Sequence, residues 1–157
     1  PRSGRKESSA ASDVYKRQVL YAILYLYKRY TGMYEIIFYN KEDGKVPVEE
    51  FLDSLSPKLL AKTLKDIDLL EKFGNNLREP FSKKLSDGIF ELRTKQSSDI
   101  TRIFYFFIFD KRIVLTNGFV KKSNKTPRSE IELAIKYKKD FERRFLWELT
   151  MITKRKF

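Results

Sequence analysis

The chain has 157 residues, 41% hydrophobic and 15% aromatic, which suits one folded domain with a proper core and argues against disorder. A formal charge of +12 points to an anionic partner: nucleic acid, an acidic protein or a membrane surface. The absence of histidine and cysteine excludes disulfides, thiol nucleophiles, His/Cys zinc sites and a Ser-His-Asp triad, fits a reducing cytosol, and leaves proton transfer to carboxylates, tyrosine or a lysine of lowered pKa.

Residues Ser8 to Gln18 read SSAASDVYKRQ, which resembles, codon for codon, the translation of a transposase-type sequencing adapter. The apolar run Val19–Tyr27 that follows is too short to cross a bilayer, which needs roughly 20 residues. No small-residue cleavage site succeeds it; Lys28, Arg29 and Tyr30 stand there instead. Residues 1–32 are therefore expected to be translated adapter and upstream DNA outside the fold, with the native start at Met33. Basic residues outnumber acidic ones in the remainder as well.

From Met33 onward, Tyr34–Tyr39 is a β-rich run closed by the turn Asn40–Gly44. Val48, Phe51, Leu52 and Leu55 recur at helical spacing. Ser56-Pro57 then places a capping residue and a first-turn proline before a second apolar stripe, Leu59, Leu60, Leu64, Ile67, Leu69 and Leu70, ended by Gly74. The two segments are expected to form a helical hairpin packed on a sheet. Beyond a polar connector, Lys84-Leu85-Ser86 leads into an Asp87-Gly88 turn and an alternating strand. There Phe90 and Leu92 face one side, and Ile89, Glu91 and Arg93 the other. Ile100–Phe109 is apolar on both faces apart from Thr101, Arg102 and Tyr105, as expected of a central, doubly covered strand. Asp110-Lys111 predicts a hairpin turn into Arg112–Val120, and Pro127 opens a final helix whose end or tail is 146–157. The fold class is α+β: a small antiparallel sheet of an N-terminal strand plus a three-strand meander, packed on a helical hairpin, with a C-terminal helix. The domain spans 33–145.

Arg102 lies in the most apolar strand, where a guanidinium needs a carboxylate, a phosphate or an open cleft. A structural ion pair with Glu91 and a phosphate contact both satisfy that need. Arg93 shares a face with Glu91 at a strand end, and a regular meander brings Phe119, Lys121 and Lys122 to a nearby end. By alternation Lys121 and Lys122 face opposite sides, so one of them lines any given surface. Lys125 and Arg128 carry the basic run to a helix start, which itself favours phosphate; solvated surface is the competing reading. No glycine-rich phosphate loop is present. Asp87, Glu91, Asp99 and Asp110 are too scattered to suggest a metal site, and no metal or small-molecule cofactor is expected.

Three motifs, Lys84-Leu-Ser-Asp-Gly-Ile-Phe-Glu-Leu-Arg93, Thr101-Arg-Ile-Phe-Tyr105, and Gly118-Phe-Val-Lys-Lys122 with Thr126-Pro127 beyond, resemble the RelE/ParE toxin superfamily. The closer likeness is to phage-derived HigB-like toxins of type II toxin–antitoxin systems, over about Met33 to Arg144. The resemblance implies a RelE-like fold and a cytoplasmic, ribosome-dependent mRNA endonuclease that needs no metal. Its implied partners are the ribosome, mRNA and a helix-turn-helix (HigA-like) antitoxin, with no membrane. On matching positions it implies Arg93, Arg102, Lys121 and Lys122 as catalytic residues. Lys84, Glu91, Tyr105, Phe119, Lys125 and Arg128 become RNA-binding candidates. Some family members place histidines near the site; this chain has none, so the general base stays open. A gyrase-poisoning ParE-like toxin, a non-catalytic nucleic-acid-binding domain and an inactive toxin relic are the alternatives.

Overall fold

A computed structural model describes residues 4–109 and 111–156. Pro1–Ser3, Asp110 and Phe157 lie outside the described residues, and with them part of the expectations for the N-terminal segment, the Asp110-Lys111 turn and the tail. Two compact units divide between Met33 and Tyr34. The first holds one helix, α1 (Gly4–Thr31), whose Thr31 hydroxyl donates to the Tyr27 carbonyl at 2.8 Å. Val14, Leu20, Ile23 and Leu26 on it are exposed. Among the described residues, no helix is long and apolar enough to cross a membrane.

The second unit runs β1 (Glu35–Phe38), α2 (Pro47–Asp53), α3 (Pro57–Phe73), β2 (Ser82–Lys84), β3 (Phe90–Gln96), β4 (Asp99–Ile108), β5 (Arg112–Val120) and α4 (Arg128–Lys156). The α+β class stands, with two differences in the sheet. It has five strands in the order β1-β5-β4-β3-β2, and β1 joins β5 in parallel rather than antiparallel. The added strand, β2, pairs antiparallel with β3 across the turn at Asp87 and Gly88, both at positive φ. Proline at the first helical position starts both α2 and α3, and Gly74 at φ 52 stops α3.

The central strand, β4, is covered on both sides. On one face Ile103 and Tyr105 pack with Leu92, Ile113 and Leu115 against Val48 and Leu52 of α2 and Ile67 and Leu70 of α3. On the other, Phe104 and Phe106 pack with Ile89 and Val114 against Ala134, Ile131 and Phe141 of α4. Each fully buried phenylalanine here contributes about 2–3 kcal/mol. That is enough for the sheet to carry some unfavourable pairing at its polar end.

Candidate active site

Such a pairing exists. Arg93 of β3 lies directly opposite Arg102 of β4, which lies opposite Phe119 of β5. Like charges directly opposed on a sheet cost up to about 1 kcal/mol, so the row needs an anion. Glu91, one pleat back on the same face, supplies it. Its Oε1 accepts from Arg93 Nε at 2.9 Å and stands 3.6 Å from Arg102 Nε. Its Oε2 accepts from the Thr126 hydroxyl at 3.2 Å. The Glu91 side chain is 2% exposed, against 9% for Arg102 and 25% for Arg93. The carboxylate is the floor and the guanidinium groups stand over it.

A β-bulge decides which lysine joins them. Between Ile103 and Tyr105 the β4–β5 register shifts, so Ile103 faces Gly118 while Tyr105 faces Leu115. The extra residue on β5 reverses which side chains point to which face. Before it, Ile113 and Leu115 point towards α2 and α3; after it, Phe119 packs on Phe104 on the α4 side, with ring centroids 5.7 Å apart. Lys121 follows Phe119 by alternation and stays paired to β4 through its backbone N–H to the Ile100 carbonyl at 2.7 Å. The bulge is pinned on both sides. The Thr116 hydroxyl donates to the Phe104 carbonyl, and Asn117 Nδ2 donates to Glu130 of α4. Gly118 lies against the Phe51 ring, where a Cβ would collide with the ring.

The electrostatics follow from that convergence. Partial burial, then Arg102, pushes the Lys121 ammonium below the ordinary lysine pKa, with Arg93 and Lys83 adding to the effect and Glu91 opposing it. Arg102 is also pushed down, first by burial, while Glu91 opposes. Its Nη1 donates to the Thr101 carbonyl at 3.1 Å, but its buried Nε has no hydrogen-bond partner among the described residues. A buried donor left unmade is costly, and the Glu91 carboxylate at 3.6 Å offsets its charge without closing a hydrogen bond. One carboxylate faces two arginines with Lys121 and Lys83 close by, so the face carries excess positive charge held on strands.

Sequence reasoning put Arg93 on the face of Glu91, offered a pairing of Arg102 with Glu91, and brought Phe119, Lys121 and Lys122 to a nearby strand end; the structure sets Glu91, Arg93, Arg102, Phe119 and Lys121 on one face. Sequence reasoning missed Lys83, which lies opposite Glu91 across β2–β3, and Thr126. The signal for Lys83 was present, because an Asp-Gly turn closing a hairpin fixes the register of the residues before it. Lys122, Lys125 and Arg128 are exposed beyond the strand, and Arg128 pairs with Glu132 at 3.2 Å. Lys84 pairs with Phe90 and so belongs to the opposite face. Tyr105 requires a correction as an RNA-binding candidate. It is 1% exposed, points to the α2–α3 side, stacks on Phe90 and hydrogen-bonds Ser82. Burial pushes its phenol up to about 12. Its parity differs from that of Arg102, which is why the two cannot share a surface. Among the described residues no group of three or more His, Cys, Asp or Glu side chains could hold a metal ion.

Comparison with known proteins adds a family. The family described as "Phage derived protein Gp49-like (DUF891)" matches residues 50–139, a span that includes Glu91, Arg93, Arg102 and Lys121. A chain of the archaeal RelE–RelB complex from Pyrococcus horikoshii OT3 is 21% identical, with a TM-score of 0.40, over 60% of this chain and 99% of that one. No curated protein matches the sequence.

Proposed function

The chain belongs to the family of phage-derived Gp49-like proteins, and from that premise we propose that it is the toxin of a type II toxin–antitoxin pair, acting as a metal-independent, ribosome-dependent mRNA endonuclease. The observation that carries the reading is the co-facial set Arg93, Arg102 and Lys121 around the buried Glu91. Phosphodiester cleavage through the neighbouring 2′-hydroxyl needs what this set offers. The hydroxyl oxygen attacks phosphorus and loses its proton to a base, and the 5′-oxygen leaves and takes a proton. A 2′,3′-cyclic phosphate and a 5′-hydroxyl result.

Arg93 and Arg102 stabilise the extra charge of the pentacoordinate phosphorus through their guanidinium groups. Lys121 is the base, because the lowered pKa of its ammonium raises the share of neutral amine. Glu91 touches no substrate; it holds the two guanidinium groups in place and is a positioning residue. Phe119 offers a ring at the edge of the row, and Lys122, Lys125 and Arg128 supply charge along the outgoing strand. The helix-turn-helix antitoxin and the ribosome as partners rest on the three-motif resemblance.

Inducible expression from Met33, with primer extension of a reporter mRNA, tests this. Growth arrest with translation-dependent cuts, abolished by Arg93→Ala or Lys121→Ala, is the expected outcome. Arrest with intact mRNA and DNA damage would assign the chain to gyrase poisoning. A folded product without effect on growth would make it a binding domain.

A further inference from the structure

The face of β2–β3 opposite the arginine row carries a cleft of about 540 Å³, within the range of small-molecule sites. Its apolar wall is Phe90 and Phe107, edge to face with centroids 5.2 Å apart, and Phe90 is backed by Tyr105 at 5.4 Å. Both wall residues are half-buried, so ring surface remains open. Arg78 and Lys84 stand at the rim, and among the described residues lining the cleft none is acidic. Arg78 is anchored there, since its Nη1 donates to the Asn75 and Leu77 carbonyls. An aromatic recess with two cations and no carboxylate matches a flat ring carrying a phosphate.

We propose that this cleft is a nucleobase subsite, in which Phe90 and Phe107 stack a base of single-stranded RNA while Lys84 and Arg78 hold its flanking phosphate. The choice of RNA rests on the ribonuclease reading, together with the placement of β2. That strand is three residues long and forms the edge of the sheet. Lys83 lies opposite Glu91 on the arginine face, and its neighbour Lys84 lies opposite Phe90 on the cleft face. A strand bound at the arginines therefore needs to pass one short edge to seat a base in the cleft, with a lysine on each side of the crossing. An acidic peptide would satisfy Lys84 and Arg78 but would leave that continuity unused.

The test is fluorescence anisotropy of the full chain with a labelled single-stranded RNA, 2′-O-methylated throughout so that it cannot be cut. A parallel series carries one abasic nucleotide moved along the strand. Lys84→Ala and Phe90→Leu are each expected to weaken binding about tenfold, and Lys84→Ala to reduce the salt slope by about 0.7. One abasic position should cost wild type the same factor and cost Phe90→Leu nothing further. Lys84 is exposed, so that variant keeps the fold even if Phe90→Leu does not. If Arg93→Ala weakens binding while the cleft variants and every abasic position are neutral, the cleft proposal fails and the ribonuclease reading stands. If the abasic effect is coupled to Phe90 but unmodified RNA is never cut, the cleft stands and the ribonuclease reading fails. Tight binding of an acidic, phenylalanine-containing peptide, lost in Lys84→Ala with RNA binding unchanged, would assign the cleft to a protein and overturn the proposal.

Discussion

Glu91 and Asp140 each sit between two arginines, and the two clusters are built differently. Asp140 of α4 accepts from Arg143 and Arg144 at 2.8 Å each and from the Tyr39 hydroxyl at 2.6 Å. Every partner there is also used elsewhere. Arg143 reaches Glu42 at 2.8 Å, Arg144 donates to the Asn40 carbonyl and lies over the Tyr39 ring, and Tyr39 stacks on Tyr137. Two carboxylates meet two arginines, and the cluster bolts α4 to the end of β1. Around Glu91 the count is unequal: one carboxylate serves Arg93 and Arg102, with Lys121 beside them and Lys83 near enough to push the Lys121 ammonium down. A cluster that exists to hold the fold neutralises itself. The Glu91 cluster keeps charge in reserve at the cost of opposed arginines, as the proposed contact with an anion requires.

The contrast breaks most visibly in activity. Arg93→Ala or Arg102→Ala should lower the rate of reporter-mRNA cleavage by about 10²–10³, the usual cost of losing one preorganised donor to a transition-state oxyanion. Asp140→Asn should leave that rate within about twofold. Equal losses at both clusters would mean that the Glu91 face acts through stability alone.

The pH profile separates them next. Lys121 works as a base only when neutral, so the rate should rise about tenfold per pH unit and level off at a pKa below that of an ordinary lysine. In Lys121→Arg the rise should vanish. At Asp140 the readout is stability. Its carboxyl is held below the usual carboxylate range, first by the Tyr39 hydrogen bond. Its contribution is therefore present above the ordinary carboxylate pKa and is lost as pH falls through the lowered one. Acid denaturation curves of wild type and Asp140→Asn should converge there.

Much of the fold was legible from the chain. Periodicity located α3, β3, β4 and α4, because each is long enough for a 3.6 or 2.0 repeat to show. A three-residue β2 is too short to show one, and alternation carries no strand direction, so the parallel pairing of β1 with β5 had no local signal. At the site, alternation put Arg93 on the face of Glu91 and offered Glu91 as a partner for Arg102, while the direct opposition of the two arginines came from the β3–β4 register. Choosing Lys121 over Lys122 needed the bulge, which is set by Thr116 and Asn117 reaching β4 and α4. Tyr105 was misplaced for lack of a parity argument that the sequence already offered. Tyr39 and Asp140 are separated by 101 positions, and only the folded chain brings them together.

Smaller effects sharpen the same comparison. Glu91→Gln should lower stability by about 2–4 kcal/mol in urea denaturation, since it leaves Arg102 buried without its counter-charge. Asp140→Asn should cost about 1–2 kcal/mol, because its side chain is 21% exposed and water takes up part of the loss. Removal of residues 1–32 should change neither, with the same melting temperature and the same cleavage rate. A large drop in either would bring α1 into the account.

The most direct test replaces one ribose. A reporter RNA is cut by the purified protein on ribosomes, the cut is mapped, and a single 2′-deoxynucleotide is placed on the 5′ side of that bond. Loss of cleavage at that bond alone, with 2′,3′-cyclic phosphate ends on the all-ribose RNA, is the predicted result. Continued cleavage at the deoxy position would contradict attack by the 2′-hydroxyl and, with it, the role assigned to Arg93, Arg102 and Lys121.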